Sequence, residues 1–260
     1  METIFDILKQ TKKNNCGKCG YPTCMAFAAA VHTGGALKSS CPYIAKSQEV
    51  NNTQYVLKDD PETALAKELK SKVKNIDLQE RAEGLGGTVV KTKKGEALSL
   101  NYLGNEVFIS SETVYFKNGK ELETRDQILL YNYLFFGGKG TLSGNYVGLE
   151  SFPNSISKVV TLKRYTEDKL ATAFSGKSEL LIKKCEAIGG EKIESCHADA
   201  CIKINILPKV PIQIHFWDED KEDGFPAKVK VLFDERALDF LDIESLIFAA
   251  ERLAETLTFK

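Results

Sequence analysis

The chain has 260 residues, 43% of them hydrophobic, and its 35 basic side chains nearly balance its 36 acidic ones. That length allows one large domain or two smaller ones, and the balanced charge gives no electrostatic case for nucleic-acid binding. The N-terminus lacks the apolar run of a secretory signal, and the most apolar stretch, residues 128–136, is too short to span a bilayer. The sequence therefore predicts a cytoplasmic protein without membrane insertion.

Four of the seven cysteines lie close together near the N-terminus, with the spacing C-x2-C-x4-C-x16-C. They are Cys16, Cys19, Cys24 and Cys41. An odd cysteine count with one cluster favours metal binding in a reducing compartment over a disulfide framework. A structural zinc site commonly has two close pairs. Here three cysteines are close and the fourth is remote and precedes Pro42, which is typical of a 4Fe–4S site. Zinc and free thiols are the alternatives.

The residues between these cysteines favour a tight loop followed by a helix. Gly17 and Gly20 allow the loop to bend and bring backbone N–H groups towards the sulfurs. Thr23 can cap a helix that begins at Cys24, where the helix dipole favours an anionic ligand. Gly34-Gly35 predicts the end of that helix.

The run NNCGKCGYPTCMAFA, followed later by CPYI, is a specific pattern within residues 14–44. It resembles the N-terminal iron–sulfur domain of the large subunit of the corrinoid iron–sulfur protein family. The resemblance implies that all four cysteines of the cluster, Cys16, Cys19, Cys24 and Cys41, are ligands of one 4Fe–4S cluster.

Three segments are predicted in chain order. Residues 1–48 form the cluster domain, 49–75 a linker with a connecting helix, and 76–260 a larger domain. Ser47–Pro61 is the polar part of the linker, and its helix covers Glu62–Val73.

The larger domain shows grouped helical and strand patterns, which favour an α+β fold with a mostly antiparallel sheet packed by helices. A first helix runs from Ile76 to Glu83 and is ended by the glycines at 84–87. The other predicted helices are residues 125–136, 158–174, 178–188 and 243–257. Alternating hydrophobic residues predict strands at 98–102, 107–109, 202–206, 212–216 and 229–233.

Residues 207–246, LPKVPIQIHFWDEDKEDGFPAKVKVLFDERALDFLDIESL, resemble an uncharacterised domain family of anaerobic microbes. That resemblance implies cobalamin as a second cofactor. Residues 76–260 are not expected to form the TIM barrel and Rossmann-like domain of the corrinoid iron–sulfur protein, because they have neither the length nor the βαβ alternation. None of His32, His197 and His215 lies in a D-x-H-x-x-G context, so a bound cobalt is predicted to be base-off without a histidine ligand of that kind.

Three further cysteines lie outside the cluster. Cys196 and Cys201 flank His197, and a four-ligand metal site would require Cys185 to fold back. The sequence favours structural or incidental thiols here over a second metal site or a redox pair. Trp217 points away from the core side of its predicted strand and is the candidate wall of a cofactor pocket. The acidic residues 218–223 are predicted to be a solvated hairpin tip.

The leading hypothesis is a redox protein of an anaerobe that binds a corrinoid. Its 4Fe–4S cluster passes an electron to, or tunes, a base-off cobalt, and a redox protein serves as donor or acceptor. The alternative is an electron-transfer or assembly module without corrinoid, whose C-terminal domain docks a protein partner. A stand-alone enzyme is a third hypothesis, but the sequence offers no acid–base pair for it.

Overall fold

A computed structural model describes residues 3–44, 60–138 and 140–259. The chain divides into two compact units, Met1–Asp60 and Pro61–Lys260. The predicted α+β architecture is confirmed, with helices and two antiparallel sheets. Most of the polar stretch predicted as a linker, residues 47–59, lies outside the described residues. No helix in the described part of the chain is both long and apolar enough to cross a membrane.

Residues 3–44, the main described part of the small unit, contain two α-helices, α1 (Ile4–Gln10) and α2 (Cys24–His32). They pack against each other. Ile7 of α1 and Phe27 of α2 are buried. The ring of Tyr21 meets Phe27 edge to face, with 5.9 Å between the ring centroids. This apolar contact anchors the connection between the helices, which carries two of the four clustered cysteines.

The first sheet of the larger unit is an antiparallel meander in the order β1-β2-β3-β4. Its strands are β1 (Thr88–Thr92), β2 (Gly95–Tyr102), β3 (Asn105–Ile109) and β4 (Val114–Phe116). Leu103 and Gly104 join β2 to β3 with φ of 48° and 77°. Two positive φ values in a two-residue connection match the twist of antiparallel strands, so this turn fixes the register of the β2–β3 pair.

The second sheet is antiparallel, with the order β5-β9-β8-β7-β6. Its strands are β5 (Tyr146–Gly148), β6 (Glu191–Lys192), β7 (Ala200–Leu207), β8 (Val210–Trp217) and β9 (Lys228–Asp234). The alternating residues predicted to face a core are buried on all three long strands, since one face of the sheet packs against helices. The acidic segment 218–223 connects β8 to β9, as predicted.

Seven helices of the larger unit pack on these sheets or on one another. They are α3 (Pro61–Val73), α4 (Leu78–Leu85), α5 (Thr124–Phe136), α6 (Ile156–Leu162), α7 (Asp168–Phe174), α8 (Ser178–Glu186) and α9 (Ile243–Thr258). Asp242 caps α9, because its side chain accepts the N–H of Ser245. Gly86 ends α4 with φ of 67°, which confirms the predicted glycine stop. α3 packs against α5, so it belongs to the larger unit.

The region predicted as one helix over residues 158–174 contains a π-helical turn, Lys163–Glu167, between α6 and α7. This turn lies beside β9. β5 pairs with β9 only at residues 232–234. Just beyond its end, Glu167 Oε1 accepts the Val231 N–H at 3.0 Å. Burial raises the pKa of Glu167, against the opposing effects of the Val231 hydrogen bond and nearby Lys230.

Two variants separate the acceptor role of Glu167 from the cost of its charge. We expect Glu167→Ala to lower the free energy of unfolding by about 1–3 kcal/mol, because the buried Val231 N–H loses its partner. Glu167→Gln keeps an acceptor and removes the buried charge, so it should equal or exceed the wild-type stability at neutral pH. Urea unfolding at several pH values measures both effects.

The raised pKa of Glu167 fixes the pH dependence of that comparison. Below its unfolded-state pKa of 4.5, the carboxyl is protonated in both states and contributes no difference. As the pH rises through the folded-state pKa, the wild type loses stability that Glu167→Gln keeps. A glutamine variant that becomes less stable than the wild type with rising pH would contradict this account.

A buried ionic network joins the first sheet to α5 and α9. Arg252 donates Nε to Asp126 Oδ1 at 2.7 Å and Nη2 to Oδ2 at 2.8 Å. The Tyr102 hydroxyl also donates to Asp126 Oδ1, at 2.7 Å. Burial first, and then the Asp126 carboxylate, raise the pKa of Tyr102. The phenol therefore remains a hydrogen-bond donor, and Asp126 is bonded on both oxygens.

Candidate cluster-binding site

The four clustered cysteines occupy the loop before α2, its first turn, and the segment after it. Cys16 is exposed and Cys19 half-buried in the loop between α1 and α2. Cys24 is the buried first residue of α2, and Cys41 is buried directly after a short 3₁₀ turn. All four are free thiols, so four sulfur donors are available within 26 residues of sequence.

The loop that carries Cys16 and Cys19 has an unusual backbone. Lys13, Asn15, Gly17 and Gly20 all have positive φ, between 48° and 85°. The Gly20 N–H donates to the Gly17 carbonyl at 2.9 Å, which closes a tight turn around Cys19. Nothing lies within 4 Å of a Cβ placed at either glycine, so these positions need glycine for conformation rather than for space.

Asn15 and Thr23 attach this loop to the start of α2. The Thr23 side chain accepts the Ala26 N–H at 3.0 Å, which confirms the predicted N-cap. Asn15 Oδ1 accepts the Cys24 N–H at 2.8 Å. The role of Asn15 was not predicted from the sequence. Asparagine directly before a C-x-x-C run was nevertheless a possible signal, because asparagine adopts the left-handed backbone conformation more readily than most residues.

The segment around the cysteines is basic. Residues 3–44 contain one acidic side chain, Asp6, and five lysines: Lys9, Lys12, Lys13, Lys18 and Lys38. Two of them lie over Tyr43, with Lys12 Nζ 4.1 Å and Lys18 Nζ 5.5 Å from the ring centroid. A hydrogen bond to Tyr43 raises the pKa of Lys18. These lysines complement the negative charge of thiolates bound to metal.

The four sulfurs are not assembled into one ligand cage. Within residues 3–44, 60–138 and 140–259, no three histidine, cysteine, aspartate or glutamate side chains are placed together to hold a metal ion. The chemistry of the donor set still fits an iron–sulfur cluster, because four free thiols lie in a segment with a glycine-bent loop and five lysines.

Two of the remaining three cysteines differ from the expectation of structural or incidental thiols. Cys196 and Cys201 form a disulfide, so that expectation is wrong for this pair; the sequence pattern could not show it, because the two are brought together by the bend before β7. Cys185 is a free thiol, fully buried on α8. Its burial raises the pKa of Cys185 to about 12, so it is unreactive at neutral pH.

Trp217 is half-buried at the end of β8, next to the fully buried Phe216. The ring centroids of His215 and Trp217 are 6.3 Å apart, and Lys228 Nζ lies 5.7 Å from the Trp217 ring centroid. Nε2 of His215 is 3.0 Å from Gln213 Oε1, and burial lowers the pKa of His215. These groups share one face of the sheet; the role of Trp217 in cofactor binding stays a prediction.

Comparison with known proteins divides the chain in the same two parts. Residues 13–43 match a family described as "Putative Fe-S cluster". Over 43 residues the chain is 51% identical to the corrinoid/iron-sulfur protein large subunit of Moorella thermoacetica, covering 16% of this chain and 10% of that protein. Over 55 residues it is 38% identical to the acetyl-CoA decarbonylase/synthase complex subunit gamma of Methanocaldococcus jannaschii, covering 21% and 11%.

The chain therefore spans about a tenth of the length of these relatives. No solved structure shows significant similarity to it. Residues 77–256, more than half of the chain, match the family described as Domain of unknown function (DUF3786). The protein is a member of the DUF3786 family that carries an iron–sulfur cluster segment at its N-terminus.

Proposed function

We propose that the protein is a redox protein whose N-terminal unit holds one 4Fe–4S cluster through Cys16, Cys19, Cys24 and Cys41. The observation that carries this proposal is the set of four free thiols on a glycine-bent loop and a capped helix start. The 51% identity to a corrinoid/iron-sulfur protein subunit over the same segment supports it. A cluster of this kind supplies one-electron transfer when bound.

Each element of the segment has a role in this proposal. Cys16 and Cys19 are the two proposed ligands on the loop between α1 and α2, where Cys16 is exposed and Cys19 half-buried. Cys24 and Cys41 are buried and provide the fixed side of the site. The hydrogen bond from the Cys24 N–H to Asn15 ties this loop to the start of α2, and the lysines balance the charge of the thiolates.

We further propose that the larger unit binds a corrinoid, as the name of the Moorella relative suggests. One face of the second sheet carries the half-buried side chains of Trp217, which offers an aromatic wall, and of Gln213 and His215, which offer polar groups. Such a face suits a flat macrocycle with amide side chains. In this proposal the cobalt is base-off and exchanges an electron with the cluster, and a separate redox protein is the physiological partner.

Anaerobic gel filtration tests corrinoid binding directly. The reconstituted protein is mixed with hydroxocobalamin, and the visible spectrum of the protein peak is recorded after free ligand is removed. Corrin bands in a base-off form, at a one-to-one ratio to the chain, are the expected result. Trp217→Ala should lower the bound fraction, whereas Phe225→Ala, an exposed aromatic residue of the β8–β9 connection, should leave it unchanged.

A protein peak with only the broad iron–sulfur absorption would reject the corrinoid proposal and favour the docking-module alternative. One feature of the surface favours that alternative specifically. Ile156 and Val160, one turn apart on α6, are 90% and 68% exposed, and an exposed apolar pair on a helix is typical of a protein contact. Ile156→Glu should then weaken partner capture without changing the iron content.

A further inference from the structure

The disulfide between Cys196 and Cys201 joins the loop after β6 to the start of β7. Cys201 is buried, whereas Cys196 is half-buried in an otherwise mostly exposed segment. On the adjacent strand, His215 is the cross-strand neighbour of Cys201. The bond is therefore placed on the sheet face that also carries Trp217, with one sulfur nearer to solvent than the other.

Other contacts already hold this segment. The Ile193 N–H donates to the Cys201 carbonyl at 2.8 Å, and Asp199 Oδ2 accepts the Asp218 N–H at 2.8 Å. The two cysteines are only five positions apart. A disulfide that closes so short a loop restricts the unfolded chain least and contributes least to stability. An accessible disulfide with little structural role is the kind that exchanges readily.

We propose that Cys196–Cys201 is a reversible two-electron thiol–disulfide site whose reaction partner is a dithiol protein with a Cys-x-x-Cys motif. This proposal does not depend on the cluster or on a corrinoid. One thiolate of the partner attacks the Sγ of Cys196, the more accessible sulfur, and the Cys196–Cys201 bond breaks. Cys201 leaves as a thiolate and takes a proton. The second thiolate of the partner then attacks its own mixed-disulfide sulfur, and Cys196 leaves and is protonated.

The electrons balance in this exchange. The Cys196–Cys201 bond gains two electrons and two protons, and the partner dithiol loses the same and becomes a disulfide. The reduced form also has a place for its new thiol. The Sγ of Cys196 lies 3.4 Å from the Ala198 carbonyl oxygen, which can accept the S–H once the disulfide is open.

A hydrogen bond connects the disulfide-bonded loop to the segment that carries Trp217, the single tryptophan of the chain. Asp199, between the two cysteines, binds the backbone of Asp218, the residue directly after Trp217. Opening the disulfide releases one of the restraints on this segment and removes a disulfide from the face that carries the indole. We therefore expect the fluorescence of Trp217 to change with the redox state of the pair.

The test uses the full chain in anaerobic buffers with increasing ratios of reduced to oxidised dithiothreitol. Free thiols are alkylated at each ratio, and the peptides that contain Cys196, Cys201 and Cys185 are quantified by mass spectrometry. We expect Cys196 and Cys201 to pass together from about 10% to about 90% alkylated over a hundredfold change in ratio, as for a two-electron couple. The change should reverse on reoxidation and should match the change in tryptophan fluorescence.

Two controls keep the result specific. Cys185, which is fully buried on α8, should stay unmodified in the folded protein at every ratio. Cys196→Ser should abolish the fluorescence change and leave Cys201 a free thiol at all ratios. A pair that opens only when the protein unfolds would overturn the proposal and make the disulfide structural. A pair that stays reduced at every ratio would overturn it as well.

Discussion

Replacing Cys24 by alanine is expected to remove the proposed 4Fe–4S cluster. Cys24 is buried at the first position of α2, so no other cysteine of the described segment can take its place without moving the helix. Loss of a directly bound ligand should cost at least as much as loss of a supporting group, for which a fall of about tenfold or more in metal affinity is typical. Iron and sulfide content per chain and the EPR signal of the reduced protein measure the effect.

The fold of the small unit should survive this substitution, because alanine favours helices and the Thr23 cap does not involve the Cys24 side chain. Cys185→Ala is the matched control: it also removes a buried free thiol, but from α8 of the larger unit, and should leave the cluster intact. A Cys24→Ala protein with a full cubane signal would show that the ligand assignment is wrong.

Replacing Arg252 by alanine should cause a large loss of stability in the larger unit. The side chains of Arg252 and Asp126 are only 19% and 6% exposed. Without the guanidinium, Asp126 keeps only the Tyr102 hydroxyl and becomes a buried, uncompensated charge. Breaking such a pair costs about 3–5 kcal/mol. Urea unfolding at neutral pH, followed by circular dichroism, measures this difference.

Arg236→Ala is the surface control for that experiment. Arg236 and Asp239 also form an ion pair, in which Nε and Nη2 both contact Asp239 Oδ2, at 2.8 Å and 2.7 Å, but their side chains are 45% and 37% exposed. Removing an exposed ion pair costs about 1 kcal/mol or less. Replacing Arg252 and Asp126 together by apolar residues should restore part of the loss, because no charge is then left buried. Equal losses for the two arginine variants would contradict the account of the buried network.

The sequence predicted the long regular elements of the larger unit well, for a physical reason. β7, β8 and β9 each pack one face on helices, so their buried residues alternate strictly, and α9 buries one continuous stripe. The short strands β1, β4, β5 and β6 were missed. They lie at sheet edges or are only two to five residues long, and their pairing is fixed by tertiary contacts rather than by local pattern.

The π-helical turn between α6 and α7 was not predicted either, because the hydrophobic pattern of a helix does not reveal one extra residue in a turn. At the candidate site, the Thr23 cap and the bend at Gly17 and Gly20 were predicted from residue type. The hydrogen bond of Asn15 depends on a backbone conformation that several residue types can adopt. The Cys196–Cys201 disulfide depends on the path of the chain before β7.

The carboxylate that Glu167 places against Val231 has a consequence for the protein in concentrated solution. A sheet edge with a free N–H is a template on which a strand of another molecule can add, and repeated addition leads to aggregation. At β9 that position is already occupied by a charged group, and Lys230 lies beside it. An approaching strand would have to displace both charges, so β5 can remain three residues long without leaving this edge open to self-association.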